Sequence, residues 1–170
     1  MKKIALAVLL AALLFCLLPL CGCESAKGNY FAPFAKGYTA EIRGIFRGIA
    51  FEAELTVAAP APEGGRPATL TFYAPASLSG TVVSRAADGA LSLSAGGLTV
   101  ATGAAEGYRP LLEIFPDAGE VTEVKVTEDG NTRVSGTGFS LDLRPDGSPA
   151  AAENSAASVV VVRFRGGEPF

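Results

Sequence analysis

The chain has 170 residues, with 14 Lys and Arg against 17 Asp and Glu, three cysteines, no tryptophan and no histidine. Without histidine, Ser-His-Asp and Cys-His nucleophilic catalysis and the common zinc sites lack a base or a ligand. The net charge of −3 is scattered, which disfavours nucleic-acid binding because that function uses a clustered basic face.

The first 23 residues are typical of an export signal. Two lysines are followed by an unbroken apolar run over residues 4–20, and the order Leu20, Cys21, Gly22, Cys23 resembles the bacterial lipobox, Leu-x-Gly-Cys. In that motif the last cysteine receives a diacylglycerol and becomes the mature N-terminus. We therefore expect a signal peptide over 1–22, a lipid anchor on Cys23, and a place on the extracytoplasmic face of the cell membrane. The alternative is an uncleaved anchor, since 17 apolar residues approach the ~20 that span a bilayer.

Cleavage before Cys23 leaves 148 residues, the size of one domain. No cysteine remains in the folded part, so we expect stability to come from packing without disulfides. Residues 23–37 are predicted to be a tether and a short N-terminal helix, 38–165 the β domain and 166–170 a tail. We expect a monomer.

Alternation of apolar and polar residues begins at Tyr38. It predicts strands over 38–47 and 49–57 with a hairpin turn at Arg47-Gly48, because side chains of a strand point to opposite faces in turn. A Pro/Gly-rich loop over 58–67 follows. Further strands are predicted at residues 68–74, 78–85, 91–93 and 98–100.

One segment interrupts the strands. A helix of at most two turns fits between Pro110 and Pro116, since proline suits a first helical turn and stops a helix at its far end. Leu111, Leu112 and Phe115 would form its apolar side.

The C-terminal third returns to strands. They are predicted over 120–127 and 131–135, around the Asp129-Gly130 turn, and at 139–143. A second turn is predicted at Pro145-Asp146-Gly147, and the Ala/Ser/Pro-rich loop that follows it, up to residue 157, is predicted to be mobile. In the last strand, 158–165, Val160, Val162 and Phe164 would face one way and the remaining valines the other, so that both faces are covered.

This order of elements predicts a mainly β fold: a single curved antiparallel sheet with one or two short helices on its concave side. A sheet of about ten strands curls because twist accumulates from strand to strand.

The element order resembles the LolA/LolB-like lipoprotein-carrier superfamily. The resemblance rests on Phe34, the first hairpin, the strand Leu70-Thr71-Phe72-Tyr73-Ala74-Pro75 followed by Leu78-Ser79-Gly80, the Pro110–Phe115 helix and the final meander. It implies a half-barrel whose concave face, partly closed by helices, holds acyl chains. The chain lacks the long N-terminal helix and the tryptophan of better-known members.

We expect no enzymatic activity, cofactor or metal. The chain contains no Gly-Lys-Ser/Thr phosphate loop, no Ser-x-x-Lys pair and no calcium loop. Glu41, Glu52 and Glu54 would lie on a solvent-facing strand surface, where charged side chains are ordinary.

Two functions remain open. In the first, a lipid or other amphiphile binds in an apolar concave cavity; in the second, the same side chains fill a core, and the domain is a structural or protein-interaction module of the envelope. Alternation alone cannot separate the two. The predicted cavity residues are Phe46, Phe51, Leu70, Phe72, Val82, Leu91, Leu111, Leu112, Phe115 and Leu141.

Overall fold

The computed structural model describes residues 29–62, 64–101 and 103–166. The predicted signal peptide, Cys23 and most of the tail lie outside these residues. The N-terminal half contains a 3-10 turn (Ala32–Phe34), β1 (Tyr38–Phe46), β2 (Ile49–Val57), β3 (Ala68–Ala74), β4 (Val82–Arg85), β5 (Leu91–Ala95) and β6 (Leu98–Ala101). The C-terminal half contains α1 (Gly103–Glu106), α2 (Arg109–Leu112), β7 (Val121–Val126), β8 (Thr132–Gly136), β9 (Phe139–Leu143), β10 (Pro149–Asn154) and β11 (Ala157–Gly166).

Within the described residues, all eleven strands form one antiparallel sheet in the order β6-β5-β4-β3-β2-β1-β11-β10-β9-β8-β7. The sheet is not closed, because β6 and β7 lie at its two opposite edges. Its centre is the pairing of β1 with β11, in which Tyr38 lies opposite Gly166. The predicted fold class is therefore confirmed.

The sheet curls around one core. Val83 of β4 and Val134 of β8 are both fully buried members of the same apolar cluster, although seven strand spacings separate their strands. In a flat sheet they would lie about 33 Å apart. Curvature brings β4 and β8 into one core with the helical segment, where Leu111, Leu112 and Ile114 are buried. The core thus lies between the inner face of the sheet and residues 103–117.

Alternation in the first hairpin follows the prediction. Phe51, Ala53, Leu55 and Val57 of β2 are buried, and the intervening residues face outward. In β1, Gly44 stands where the backbone of β11 comes close: a Cβ there would lie 2.1 Å from the Ser158 carbonyl oxygen. Glycine permits this close approach because it has no side chain.

Aromatic rings pack the N-terminal turn against the sheet and the helical segment. The ring of Phe34 stacks on Phe115 at 5.3 Å and contacts Tyr38 edge-on at 5.4 Å, distances typical of favourable ring pairs. Phe34 is completely buried, so the 3-10 turn is part of the core.

Two ion pairs and one amide hydrogen bond hold the helical segment. Arg85 pairs with Glu113 and Arg66 with Asp117, each at 3.0 Å. From the other half of the sheet, Asn154 Nδ2 donates to the Pro110 carbonyl at 2.8 Å.

Three predictions about local structure are wrong. The loop after the 145–147 turn, expected to be mobile, contains β10, which pairs with both β9 and β11. The strand expected at 78–85 begins only at Val82, because a turn occupies the preceding residues. In β11 Val160 and Val162 are 50% and 55% exposed, so this strand is covered on its inner face alone.

Candidate functional site

Nine of the ten predicted cavity residues lie in the buried core and are at most 9% exposed. They do not line one continuous cavity, because several are packed on all sides by other core residues. Leu70, Leu111 and Leu141, for example, are completely buried and border none of the clefts described below. The nine are Phe46, Phe51, Leu70, Phe72, Leu91, Leu111, Leu112, Phe115 and Leu141.

Val82 was predicted on the wrong face. Its neighbour Val83 is the fully buried residue of β4, and Val82 points the other way and is partly exposed. The predicted strand begins at Leu78, whereas β4 begins at Val82. The turn between Pro75 and Gly80 resets the alternation, so the inward positions of β4 shift by one residue.

An apolar pocket of about 390 Å³ is open among the described residues and is here called the Phe46 pocket. The β1–β2 hairpin and the end of β3 form its floor, the turn after β3 forms one wall, and α1 with the α1–α2 junction covers it. Its lining residues are Phe46, Arg47, Ile49, Phe51, Phe72, Ser77, Leu78, Ala104, Gly107 and Tyr108.

Aromatic rings shape the Phe46 pocket. The ring of Tyr108 lies 5.7 Å from that of Phe46 and 5.7 Å from that of Phe72, and the Phe51 and Phe72 rings lie 5.8 Å apart. The three phenylalanines are nearly buried, whereas Tyr108 is half-buried and lies between the two helices. Tyr108 therefore separates an apolar interior from solvent.

Arg47 supplies the positive charge at the rim. It forms a two-residue turn with Gly48, and both have positive φ angles, 49° and 81°, as a tight hairpin requires. This turn directs the side chain across the pocket: Cζ lies 5.2 Å from the centroid of the Phe46 ring, a cation–π distance, and Nη1 lies beside Gly107. Among the described residues, the Arg47 guanidinium has no carboxylate partner.

A second cleft, of about 240 Å³, is lined by polar groups that already have partners within the protein. It contains Arg66 and Arg85, whose side chains are 10% and 15% exposed and which form the ion pairs described above. Arg66 also donates to the Phe34 carbonyl, and Arg85 to the Arg66 carbonyl. Burial raises the pKa of the neighbouring Tyr38 hydroxyl far above its usual range. These groups hold the fold together, and none is left free for a ligand.

The third cleft, of about 650 Å³, is a shallow surface between the N-terminal turn and the β9–β10 turn. Its arginine, Arg144, donates to the carbonyls of Pro149 and Val161 and to the Ser148 hydroxyl. Because the Arg144 guanidinium is used within the protein, this cleft offers no free positive charge.

Of the ten residues that line the Phe46 pocket, the sequence predicts only Phe46, Phe51 and Phe72 as cavity residues. It places Arg47 in a turn and assigns the other six to no site; these are Ile49, Ser77, Leu78, Ala104, Gly107 and Tyr108. The sequence contains no local signal for these residues, since they meet through the chain's long-range folding. The Arg47-Gly48 pair was the usable clue, because a tight hairpin presents its long side chain at the end of the sheet.

Within the described ranges, no group of three or more His, Cys, Asp or Glu side chains is placed to hold a metal ion. The helices found in those same ranges are too short and insufficiently apolar to cross a membrane.

No protein-family model matches the chain, and no curated protein sequence resembles it significantly. Its fold is similar to that of an uncharacterized conserved protein from Thermus thermophilus, with a TM-score of 0.54, 12% identity, and coverage of 84% of this chain and 85% of that one. MucB is similar with a TM-score of 0.52 and 15% identity, over 84% of this chain and 58% of MucB.

A LolA superfamily protein, NE2245 from Nitrosomonas europaea, aligns over 81% of this chain and 88% of its own at 6% identity. Its TM-score of 0.44 is too low to support an argument. At these identities the first two structures share the fold with this chain and carry no functional conclusion.

Proposed function

We propose that the protein is an exported, membrane-anchored binding domain that takes the apolar end of an anionic amphiphile into the Phe46 pocket. The observation that carries the proposal is the combination of a small apolar pocket with a guanidinium at its rim that has no carboxylate partner in the described part of the chain. An acyl chain would replace water against the phenylalanine rings, while a carboxylate or phosphate headgroup would accept hydrogen bonds from Arg47.

The size of the pocket supports this ligand class. Ligand pockets are usually about 300–1,000 Å³, and the Phe46 pocket is at the lower end of that range. Each methylene moved from water into an apolar site gains roughly 0.8 kcal/mol, so four or five buried methylenes supply about 3–4 kcal/mol. The pocket therefore suits the end of one chain rather than a whole multi-chain lipid.

The membrane anchor is the second part of the proposal. The Lys-rich start, the apolar run and the small residue before Cys23 favour cleavage and lipidation at that cysteine. The domain would then stand on the extracytoplasmic face of the membrane, close to a source of amphiphiles.

Binding is tested by displacement of a fluorescent fatty acid from the protein lacking its first 23 residues. We expect decanoate to compete at least about tenfold better than decanol, because only the carboxylate can pair with Arg47. Arg47→Gln should remove that preference, whereas Arg43→Gln, an exposed arginine of the same hairpin, should preserve it. Equal competition by both compounds in the wild type would contradict the role of Arg47, and no binding by either would contradict the proposed function.

The anchor is tested in cells fed an alkyne-labelled fatty acid. We expect Cys23→Ser to abolish labelling of the protein and Cys21→Ser, two residues away, to leave it unchanged. Labelling that persists in Cys23→Ser would place the lipid elsewhere.

A second candidate function is a structural or protein-interaction domain with a filled core. It is favoured by the complete burial of Leu70, Leu111 and Leu141, which leaves no continuous cavity along the described sheet. Failure of every amphiphile to bind, together with a stoichiometric envelope protein in a pull-down, would support this candidate over the first.

A further inference from the structure

Strand β7, at one edge of the sheet, is largely exposed to solvent. Five of its six residues are exposed, including Val124 at 43% and Val126 at 74%, although both lie on the inner face beside β8. No residue among those described lies on the outer side of this strand in the sheet. The strand therefore presents both an apolar inner surface and an open backbone edge.

Unused hydrogen-bonding groups lie along that edge. Thr127 N–H donates to the Asn131 carbonyl, which fixes this pair as hydrogen-bonded. Because narrow and wide pairs alternate along antiparallel strands, the N–H and C=O of Val124 and Val126 point away from β8. An added strand would find these groups ready to pair.

The charges on the outer face of β7 are self-complementary. Glu123 and Lys125 lie two residues apart and form an ion pair at 3.1 Å. If a second copy of β7 runs antiparallel with Val124 opposite its own equivalent, each Glu123 faces Lys125 of the second copy. Opposite charges directly across an antiparallel pair are stabilising, and like charges are destabilising.

We propose that the protein forms a twofold dimer by pairing β7 with β7 of a second copy of this chain, centred on Val124. The two Val124 residues exchange backbone hydrogen bonds, and their side chains meet on the inner face. The dimer replaces the monomer expected from the sequence, and it is independent of any ligand in the Phe46 pocket.

Other registers are disfavoured. A shift of two residues places either Lys125 opposite Lys125 or Glu123 opposite Glu123, and a shift of one places the inner face of one copy on the outer face of the other. The bulge at Thr122 ends the regular ladder on one side, which limits pairing to a short segment. The association is accordingly weak, since a stable interface uses about 20–30 residues a side.

The opposite edge, β6, gives no comparable selectivity. It carries exposed Leu98 and Val100 but no charged residue, so it cannot specify one register or partner. Pairing of β6 with β7 of the next molecule would build an open chain of copies rather than a closed dimer.

The experiment uses charge-reversal variants of the full chain. Two differently tagged copies are produced in membranes, and one of them is labelled with ¹⁵N. A zero-length carbodiimide joins Glu to Lys in contact, and mass spectrometry reports mixed-isotope peptides and the size of cross-linked species. We expect a mixed-isotope Glu123–Lys125 cross-link, and co-purification of the two tags that falls about fivefold to tenfold in Glu123→Lys or in Lys125→Glu. Copies of Glu123→Lys should associate with copies of Lys125→Glu, because the two single variants are complementary.

The matched control is Glu41→Lys, the same change of charge on the outer face of β1, which should leave association unchanged. Circular dichroism verifies that each variant folds, and either single variant suffices for the test. The proposal is overturned if Glu123→Lys associates with itself as well as the wild type does, if mixing the two variants gives no rescue, or if cross-linking yields an open series of oligomers.

Discussion

Replacement of Leu111 by alanine distinguishes a filled core from an open cavity at the centre of the domain. Leu111 lies in α2, is completely buried and belongs to the main core cluster. Alanine is a good helix former, so the change removes side-chain packing without weakening the helix. Its effect on stability therefore measures how tightly the helical segment is packed on the sheet.

We expect Leu111→Ala to lower the free energy of unfolding by about 3 kcal/mol, within the range for a buried leucine that leaves a cavity. The assay is urea unfolding, followed by circular dichroism, of the protein lacking its first 23 residues. With an m-value of about 2 kcal/mol/M, the midpoint should fall by about 1–2 M.

The control is Val162→Ala, a comparable truncation on the exposed face of β11. Its effect should stay within about 0.5 kcal/mol, as for most surface changes. If Leu111→Ala costs less than about 1 kcal/mol and gains affinity for an acyl chain, Leu111 borders an open cavity and the filled core is refuted.

Three further results are expected. In alkali, buried Tyr38 stays protonated, whereas the same tyrosine in the unfolded chain loses its proton near pH 10. The free energy of unfolding should therefore fall by up to about 1.4 kcal/mol per pH unit above pH 10. Thermal melts at several pH values measure this fall in the wild type, and Tyr38→Phe, which lacks the titrating group, should not show it. Asn154→Ala removes the hydrogen bond to the Pro110 carbonyl and the two that Asn154 Oδ1 accepts from the N–H groups of Ala156 and Ala157, and it should cost about 1–3 kcal/mol in urea unfolding; a cost below about 0.5 kcal/mol would show that these bonds together contribute nothing. Gly44→Ala should lower the melting temperature strongly because its Cβ meets the backbone of β11, whereas Gly103→Ala, with open space around it, should not; equal melting temperatures would contradict the close approach.

The alternation of apolar and polar residues predicted the first hairpin correctly because long-range contacts do not change the strand pattern there. Alternation is unbroken through β2, and Arg47-Gly48 has the composition that a two-residue turn requires. The same reasoning failed for β10, whose Ala-rich residues have low strand propensity. That strand is formed by neighbours on both sides, which is information that a local pattern does not contain.

The last strand shows how one irregularity reverses a correct pattern. Phe164 does pack on the core, against Tyr38 and Phe34, and counting back from it by twos places Val160 and Val162 inside. The pairing of β1 with β11 shifts register near Val162, so Val159 and Val161 are the inward residues instead. Four consecutive valines do not indicate which of them face inward, so the register shift could not be detected from the sequence.

The candidate site was predictable only in part. The phenylalanines at positions 46, 51 and 72 follow from strand alternation, and they do form the floor of the Phe46 pocket. Whether such residues surround a space or fill one depends on how the helical segment settles over them. That depends on distant contacts, such as the Asn154 hydrogen bond and the two arginine ion pairs.

The central pairing of β1 with β11 has a consequence for how the chain acquires its structure. The strands from β1 to β6 and from β7 to β11 are two runs of neighbouring hairpins, each assembled from residues close in sequence. Among the strand pairings of the described residues, only the junction between β1 and β11 joins residues more than a hundred positions apart, and it carries the largest loop-closure entropy. Closure of that junction should be the slow step of folding. On the proposed route of export, the chain would reach its native state only after β11 had crossed the membrane.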